Sequence, residues 1–204
     1  TISKFINNLW ANNQLVTHLS YIDDLKSFDD DCENIFNAYY SKELRFLRKR
    51  YYNNSNKDYA RKIHDAFGID IILPLEYSQT IDSSGVMLFS YNPENHEQIK
   101  QIIIYKILAK SANKDLIIDK TNKILLQNLK GSVSGSHVTI ENRFPAEIYN
   151  NTYRTLWKLN KGFMGGPILI KPYTVGDYIV VACALVFDPS SSKRKYIKEF
   201  ESIL

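Results

Sequence analysis

The stretch with most influence over the fold is 179–187, Ile-Val-Val-Ala-Cys-Ala-Leu-Val-Phe. A strand with one face in water alternates apolar and polar residues. An unbroken apolar run belongs instead at the centre of a sheet covered on both faces. The run is far shorter than the roughly 20 residues a membrane-crossing helix needs, and Pro189 closes it. Cys183 in its middle reads as an inert, buried thiol. A chain built around such a strand must supply neighbours to pair with it and two apolar layers to cover it.

The rest of the sequence offers both. Segments 86–91, 101–109, 136–142, 151–160 and 167–173 are rich in Ile, Val and Tyr and read as strands, as does 69–73, stopped by Pro74. Most are joined by short links, which predicts antiparallel pairing. Asp115 is the expected cap of a helix over 116–129, ended by Gly131. The segment 191–204 is an amphipathic closing helix with Tyr196, Ile197, Phe200 and Leu204 inward. The fold class is therefore α+β, a mainly antiparallel sheet covered by helices, with 69–204 as its principal domain.

Upstream, 14–20 alternates, with Leu15, Thr17 and Leu19 on one side, and pairs with 1–10 through Ala11, Asn12 and Asn13. Asp23 or Asp24 then caps a long helix reaching to about Tyr51. Its apolar face holds Leu25, Phe28, Cys32, Ile35, Phe36 and Tyr39. A shorter helix over 57–67 carries Tyr59, Ile63 and Phe67 on one face, with Gly68 at the C-cap. A hairpin with two helices is a thin domain, because two strands make a marginal sheet. Residues 1–68 are thus expected to be part of an incomplete N-terminal domain. Leu15, Leu19, Phe28, Ile35 and Phe36 should be partly exposed or covered by another chain.

Of 204 residues, 44% are hydrophobic and 24% charged, an ordinary composition for a folded chain. The net charge of +4 is spread evenly: 10 basic and 9 acidic residues precede position 69, and 16 and 13 follow. No concentrated basic stripe points to nucleic acid. Within the long helix the charges are ordered. Asp29, Asp30, Asp31 and Glu33 come early; Lys42, Arg45, Arg48, Lys49 and Arg50 come late, matching the helix dipole. The basic end reads either as a solvated helix terminus or as a patch for an anion or lipid headgroup.

Little chemistry is written in motifs. His18, His64, His96 and His137 lack metal-ligand spacing, and Cys32 and Cys183 read as two buried thiols, with a long-range disulfide as the alternative. The Gly131-Ser132-Val133-Ser134-Gly135 run has Val133 where a nucleophile elbow needs its serine. No metal, cofactor or catalytic residue is assigned, and a binding role is expected over catalysis. A hydrolase built from residues distant in sequence is the less favoured alternative. One segment stands out: Tyr153, Arg154 and Trp157, followed by Phe163, Met164, Gly165, Gly166 and Pro167. It reads as a tight hairpin folded onto the core, or as a recognition loop. In the second case Tyr153, Trp157 and Phe163 would stack on a small molecule or glycan.

Several landmarks in order resemble one family. They are Trp10-Ala11-Asn12-Asn13-Gln14-Leu15-Val16, Phe67-Gly68-Ile69 with Pro74 after it, Leu156-Trp157, Phe163-Met164-Gly165-Gly166-Pro167, and Pro189 with Lys193-Arg194. The family is domain of unknown function 4837, lipoproteins of the Bacteroidetes cell envelope. Thr155 departs from its pattern, where glycine is usual. The resemblance implies a secreted outer-membrane lipoprotein, with its signal peptide and lipid anchor upstream of Thr1, and a protein partner at that membrane. It carries over no functional residue. From about Ile69 onward the element order is also similar to the PsbP/Mog1-like fold. The function implied is a non-catalytic binding or scaffold domain.

Overall fold

A computed structural model describes residues 2–20, 25–83 and 85–204. The chain forms two units, Thr1–Lys49 and Arg50–Leu204.

In the first unit, β1 (Ile2–Asn7) and β2 (Leu15–Ser20) pair antiparallel, with Ile6 opposite Val16. The turn uses asparagines where the backbone goes left-handed: Asn8 and Asn13 have φ of 56° and 64°. Asparagine tolerates that region because its short polar side chain bonds locally. Here the Asn13 N–H donates to Asn8 Oδ1 at 2.8 Å, and the Asn8 N–H to the Gln14 carbonyl at 2.9 Å. Helix α1 (Leu25–Asn53) follows, its residues from Arg50 counting with the second unit. The Tyr39 hydroxyl donates to the Leu15 carbonyl at 2.9 Å and ties α1 to β2. The expected N-cap, Asp23 or Asp24, lies outside the described residues. Leu15 and Ile35 are half-buried, while Leu19, Phe28 and Phe36 are exposed.

The second unit contains α2 (Lys57–Phe67), β3 (Ser78–Ser83), β4 (Val86–Tyr91), β5 (Ile99–Leu108), α3 (Lys114–Asn128), β6 (His137–Ile140), β7 (Glu147–Tyr149), β8 (Thr152–Asn160), β9 (Gly165–Val175), β10 (Tyr178–Phe187) and α4 (Arg194–Ile203). The eight strands form one antiparallel sheet in the order β3-β4-β5-β10-β9-β8-β6, with β7 also paired to β8. The apolar strand β10 lies at the centre, and each face of it is covered. Val180, Ala182, Ala184 and Val186 share a core with Ile63 and Phe67 of α2 and Phe200 and Ile203 of α4. Ile179, Val181, Cys183 and Leu185 share another with Tyr105, Trp157, and Ile117 and Leu125 of α3.

The departures from the sequence reading have local causes. Ile69, Ile71, Ile72 and Leu73 are all buried but form no strand. Their backbone bonds go elsewhere: the Ile72 N–H to the Ile203 carbonyl at 3.0 Å, and the Leu73 carbonyl to the Asn56 N–H at 2.8 Å. Strands β3 and β7 escaped notice because one is polar and the other three residues long. The α3 cap is Asn113, whose Oδ1 accepts the Leu116 N–H at 2.9 Å, and Asp115 sits in the first turn. The chain divides at Lys49/Arg50, so α2, placed with residues 1–68 by sequence, instead buries Ile63 and Phe67 in the second unit. Gly68 does cap α2, at φ 71°.

The two thiols also separate. Cys32 is exposed on α1, against the expectation of burial. Cys183 is fully buried, and burial pushes its thiol up to about 12. A maleimide should therefore modify Cys32 of the native protein within seconds and leave Cys183 unmodified until the sheet is unfolded in urea. Peptide mapping after a timed pulse reads both sites.

Candidate functional site

The segment singled out by sequence is the β8–β9 hairpin, and its side chains do not converge. Trp157 is 3% exposed and packs in the α3-side core. Tyr153 and Met164 are half-buried against that same core. Phe163, at the hairpin tip, is 94% exposed. The three rings therefore form no common stacking surface, and the platform expected from Tyr153, Trp157 and Phe163 is corrected. Arg154 is engaged too: its guanidinium bonds the Glu201 carboxylate and lies 3.8 Å from the centre of the Tyr149 ring.

The glycines explain why the motif exists. Leu185 stands opposite Ile168 in the β10–β9 register, which puts Val186 opposite Pro167. Proline has no N–H to offer a ladder partner. The Val186 carbonyl is satisfied instead by the indole N–H of Trp157, at 3.1 Å. Gly166 leaves the room this needs: a Cβ there would sit 2.1 Å from the Val186 oxygen and 3.3 Å from the indole nitrogen. A Cβ on Gly165 would meet the Trp157 carbonyl at 2.9 Å. The motif is a packing device.

A buried polar cluster lies on the opposite face. Lys100 Nζ donates to Glu199 Oε1 at 2.7 Å and to Glu76 Oε1 at 3.2 Å, between the rings of Tyr77 and Tyr91. The Tyr77 hydroxyl donates to the same Glu199 oxygen at 3.4 Å. Burial raises the Glu199 carboxyl above its ordinary range, and the Lys100 charge opposes that rise. Burial, aided by Glu199, also pushes Tyr51 up to about 12. The hydrogen-bonding capacity of these groups is used on one another. The histidines with a bonded ring nitrogen behave likewise: His64 faces Asp70 at 3.0 Å and His137 the Gly135 carbonyl at 3.2 Å. Among the described residues no three His, Cys, Asp or Glu side chains gather as a metal site, and no helix is long and apolar enough to cross a membrane.

A concave surface with an exposed aromatic wall lies in the first unit. A cleft of roughly 750 Å³ is lined by Asn7, Asn8, Asn13 and Leu15 of the hairpin and by Tyr39, Lys42, Glu43, Arg45, Phe46 and Lys49 of α1. Its apolar wall is uncovered: Phe46 is 63% and Tyr39 42% exposed. Three cations against one carboxylate rim it. The sequence reading noted the basic end of α1 as a possible anion patch but passed over Phe46. The signal was present in the spacing, since Tyr39, Lys42, Phe46 and Lys49 recur at three and four residues and share a helix face.

The second unit is thus an antiparallel α+β domain with helices on both faces of the sheet. The chain belongs to the family described as Domain of unknown function (DUF4837), whose profile matches residues 55–204. The cleft precedes that span. No curated protein matches the chain in sequence. Among solved structures it is similar to a STAR-related lipid transfer protein from Xanthomonas axonopodis, at 12% identity over 63% of this chain and 90% of that one. The TM-score of 0.32 is too low to bear on fold or function.

Two substitutions test the structural roles assigned above. Gly166→Ala should lower stability by about 1–3 kcal/mol, the usual cost of overpacking, read from urea unfolding. Lys100→Met should cost about 3–5 kcal/mol at neutral pH, because it leaves a buried carboxylate without its counter-charge. Native Glu199 holds its proton to higher pH than the unfolded chain does, so this group's contribution favours the native state as the pH falls. The Lys100→Met loss should therefore shrink as the pH falls and Glu199 is protonated. The double variant Lys100→Met, Glu199→Leu should recover most of it.

Proposed function

We propose that this chain is a non-catalytic binding domain of a cell-envelope lipoprotein, and that the cleft between α1 and the hairpin turn receives an apolar, acidic segment of a protein. The observation that carries the reading is the exposure of Phe46 and Tyr39 inside a rim of Lys42, Arg45 and Lys49. Apolar rings uncovered in a concavity mark an interaction site, because water is released when they are covered. The cations select the sign of the partner and speed its approach. A lipid headgroup would use the cations alone. The aromatic wall and the Asn7, Asn8 and Asn13 amides suit a peptide, with its mixture of apolar side chains and hydrogen-bonding backbone. The envelope location rests on the family resemblance to lipoproteins.

A photo-crosslinking residue placed at Phe46, in cells producing the full-length protein, tests this. It should yield a covalent adduct to a protein, and the same residue at Phe163 should yield little. Reversing Lys42, Arg45 and Lys49 to Glu should cut a Tyr39-directed adduct on the order of tenfold, since close opposite charges at an interface become like ones. Equal adducts at Phe46 and Phe163, or none at Phe46, would overturn the proposal.

A further inference from the structure

One end of the second unit's sheet carries apolar side chains that the core does not use. The β8–β9 turn is closed by the Leu159 N–H on the Met164 carbonyl at 2.8 Å and the Gly162 N–H on the Leu159 carbonyl at 3.2 Å. Strand β6 starts beside this turn, His137 opposite Asn160, so the loop 131–136 that precedes it lies alongside. Leu159 packs under both tips. A Cβ on Gly131 would stand 3.1 Å from its Cδ1, and a Cβ on Gly162 2.5 Å from its Cδ2, so the two glycines make room for it. Each tip then presents one large apolar side chain to water: Phe163, 94% exposed, and Val133, 57% exposed. We infer that these two tips dock on the surface of an anionic lipid bilayer, with Phe163 and Val133 entering the headgroup layer.

The charge around the tips gives the occupant its sign. No Asp or Glu occurs in 120–140 or in 148–176, the segments that supply both tips and the strands leading to them. Lys130 and Lys161 are exposed there. The Lys161 Nζ lies 3.2 Å from where a Gly135 Cβ would be, which sets the ammonium between the tips. The carboxylates near this end of the sheet are answered or remote. Glu141 is held by Arg143 and Lys158, and Asp188 accepts from the Tyr196 hydroxyl. Glu94 and Glu97 belong to the β4–β5 connection, and β5 lies three strands from β8. That is about 14 Å at ~4.8 Å a strand, beyond a Debye length of about 8 Å at physiological salt.

Shape decides between a bilayer and a protein. Both tips are convex, so a rigid partner would need two matching sockets, whereas a fluid headgroup layer yields around each. Interfacial binding grows with the apolar area buried and with the attraction of basic side chains to anionic lipid. Each tip supplies one of both kinds, Phe163 with Lys161 and Val133 with Lys130. Ser132 and Ser134, exposed beside Val133, offer hydroxyls to headgroup phosphates.

Insertion is read by a dye. Phe163→Cys, made together with Cys32→Ser and labelled with an environment-sensitive fluorophore, should shift its emission to the blue on phosphatidylcholine vesicles holding about 30% phosphatidylglycerol. The same label on Leu108→Cys, an exposed position at the other end of β5, should not shift. The shift at 163 should persist when Lys42, Arg45 and Lys49 are changed to Gln, which removes the cations of the cleft. In vesicle flotation, Phe163→Ala should weaken binding on the order of tenfold, through the loss of one buried ring. Changing Lys130 and Lys161 to Gln, or replacing the vesicles by pure phosphatidylcholine, should do the same on the order of tenfold. Unaltered urea midpoints show that these surface variants are folded. No flotation with the anionic vesicles, an equal shift at Leu108, or binding that Phe163→Ala leaves unchanged overturns the inference. So does a photo-crosslinker at Phe163 that captures protein and no lipid.

Discussion

The bond from the Trp157 indole to the Val186 carbonyl holds together more of this structure than its single 3.1 Å contact suggests. Strand β10 can be apolar on both faces only if layers close over both. On the α3 side that closure includes Trp157, reaching from β8 across β9 to β10. The reach is possible because Gly166 has no side chain, and it is needed because Pro167 offers no N–H. A buried carbonyl left without a donor costs about 1–3 kcal/mol, so the indole completes the sheet as well as filling the core. This accounts for a tryptophan followed by Gly-Gly-Pro without any ligand.

That resolution shows what the sequence could and could not convey. The sheet and its double cover were legible in 179–187, and α2, α3 and α4 in their apolar spacing, because burial writes a period into the residues it selects. Ile69, Ile71, Ile72 and Leu73 misled because a covering segment, buried without belonging to a ladder, has the composition of a strand. Strand β3, Ser-Gln-Thr-Ile-Asp-Ser, was invisible because an edge strand need bury little. The site was misread for a related reason. Trp157 and Phe163 are adjacent landmarks of one type, yet alternation along β8 turns the first into the core and the hairpin tip turns the second into water. Sequence distance does not reveal that parting.

The two units use their charges in opposite ways. In the second, ionic groups that enter the protein do so in company: Lys100 with Glu199 and Glu76, Glu141 with Arg143 and Lys158, Arg154 with Glu201. Such arrangements satisfy themselves and leave little for a partner. In the first unit the acidic and basic halves of α1 are segregated along the helix, and the aromatic side chains beside them are exposed. Exposed aromatic rings beside unneutralised charge are why the proposed binding role is placed there.

The position of β10 also has a meaning in time. It is the central strand of the sheet but, in sequence order, the last of that sheet's described strands. A polypeptide emerging N-terminus first makes β3, β4 and β5 as one meander and β8 and β9 as another, and neither can join the other until residues 178–187 arrive. The pairing of β5 with β10 closes a loop of about 70 residues, an entropically slow step. Until then both halves expose the Ile- and Leu-rich edges that β10 will cover. Assembly of the sheet thus depends on one late strand finding the gap between two earlier ones.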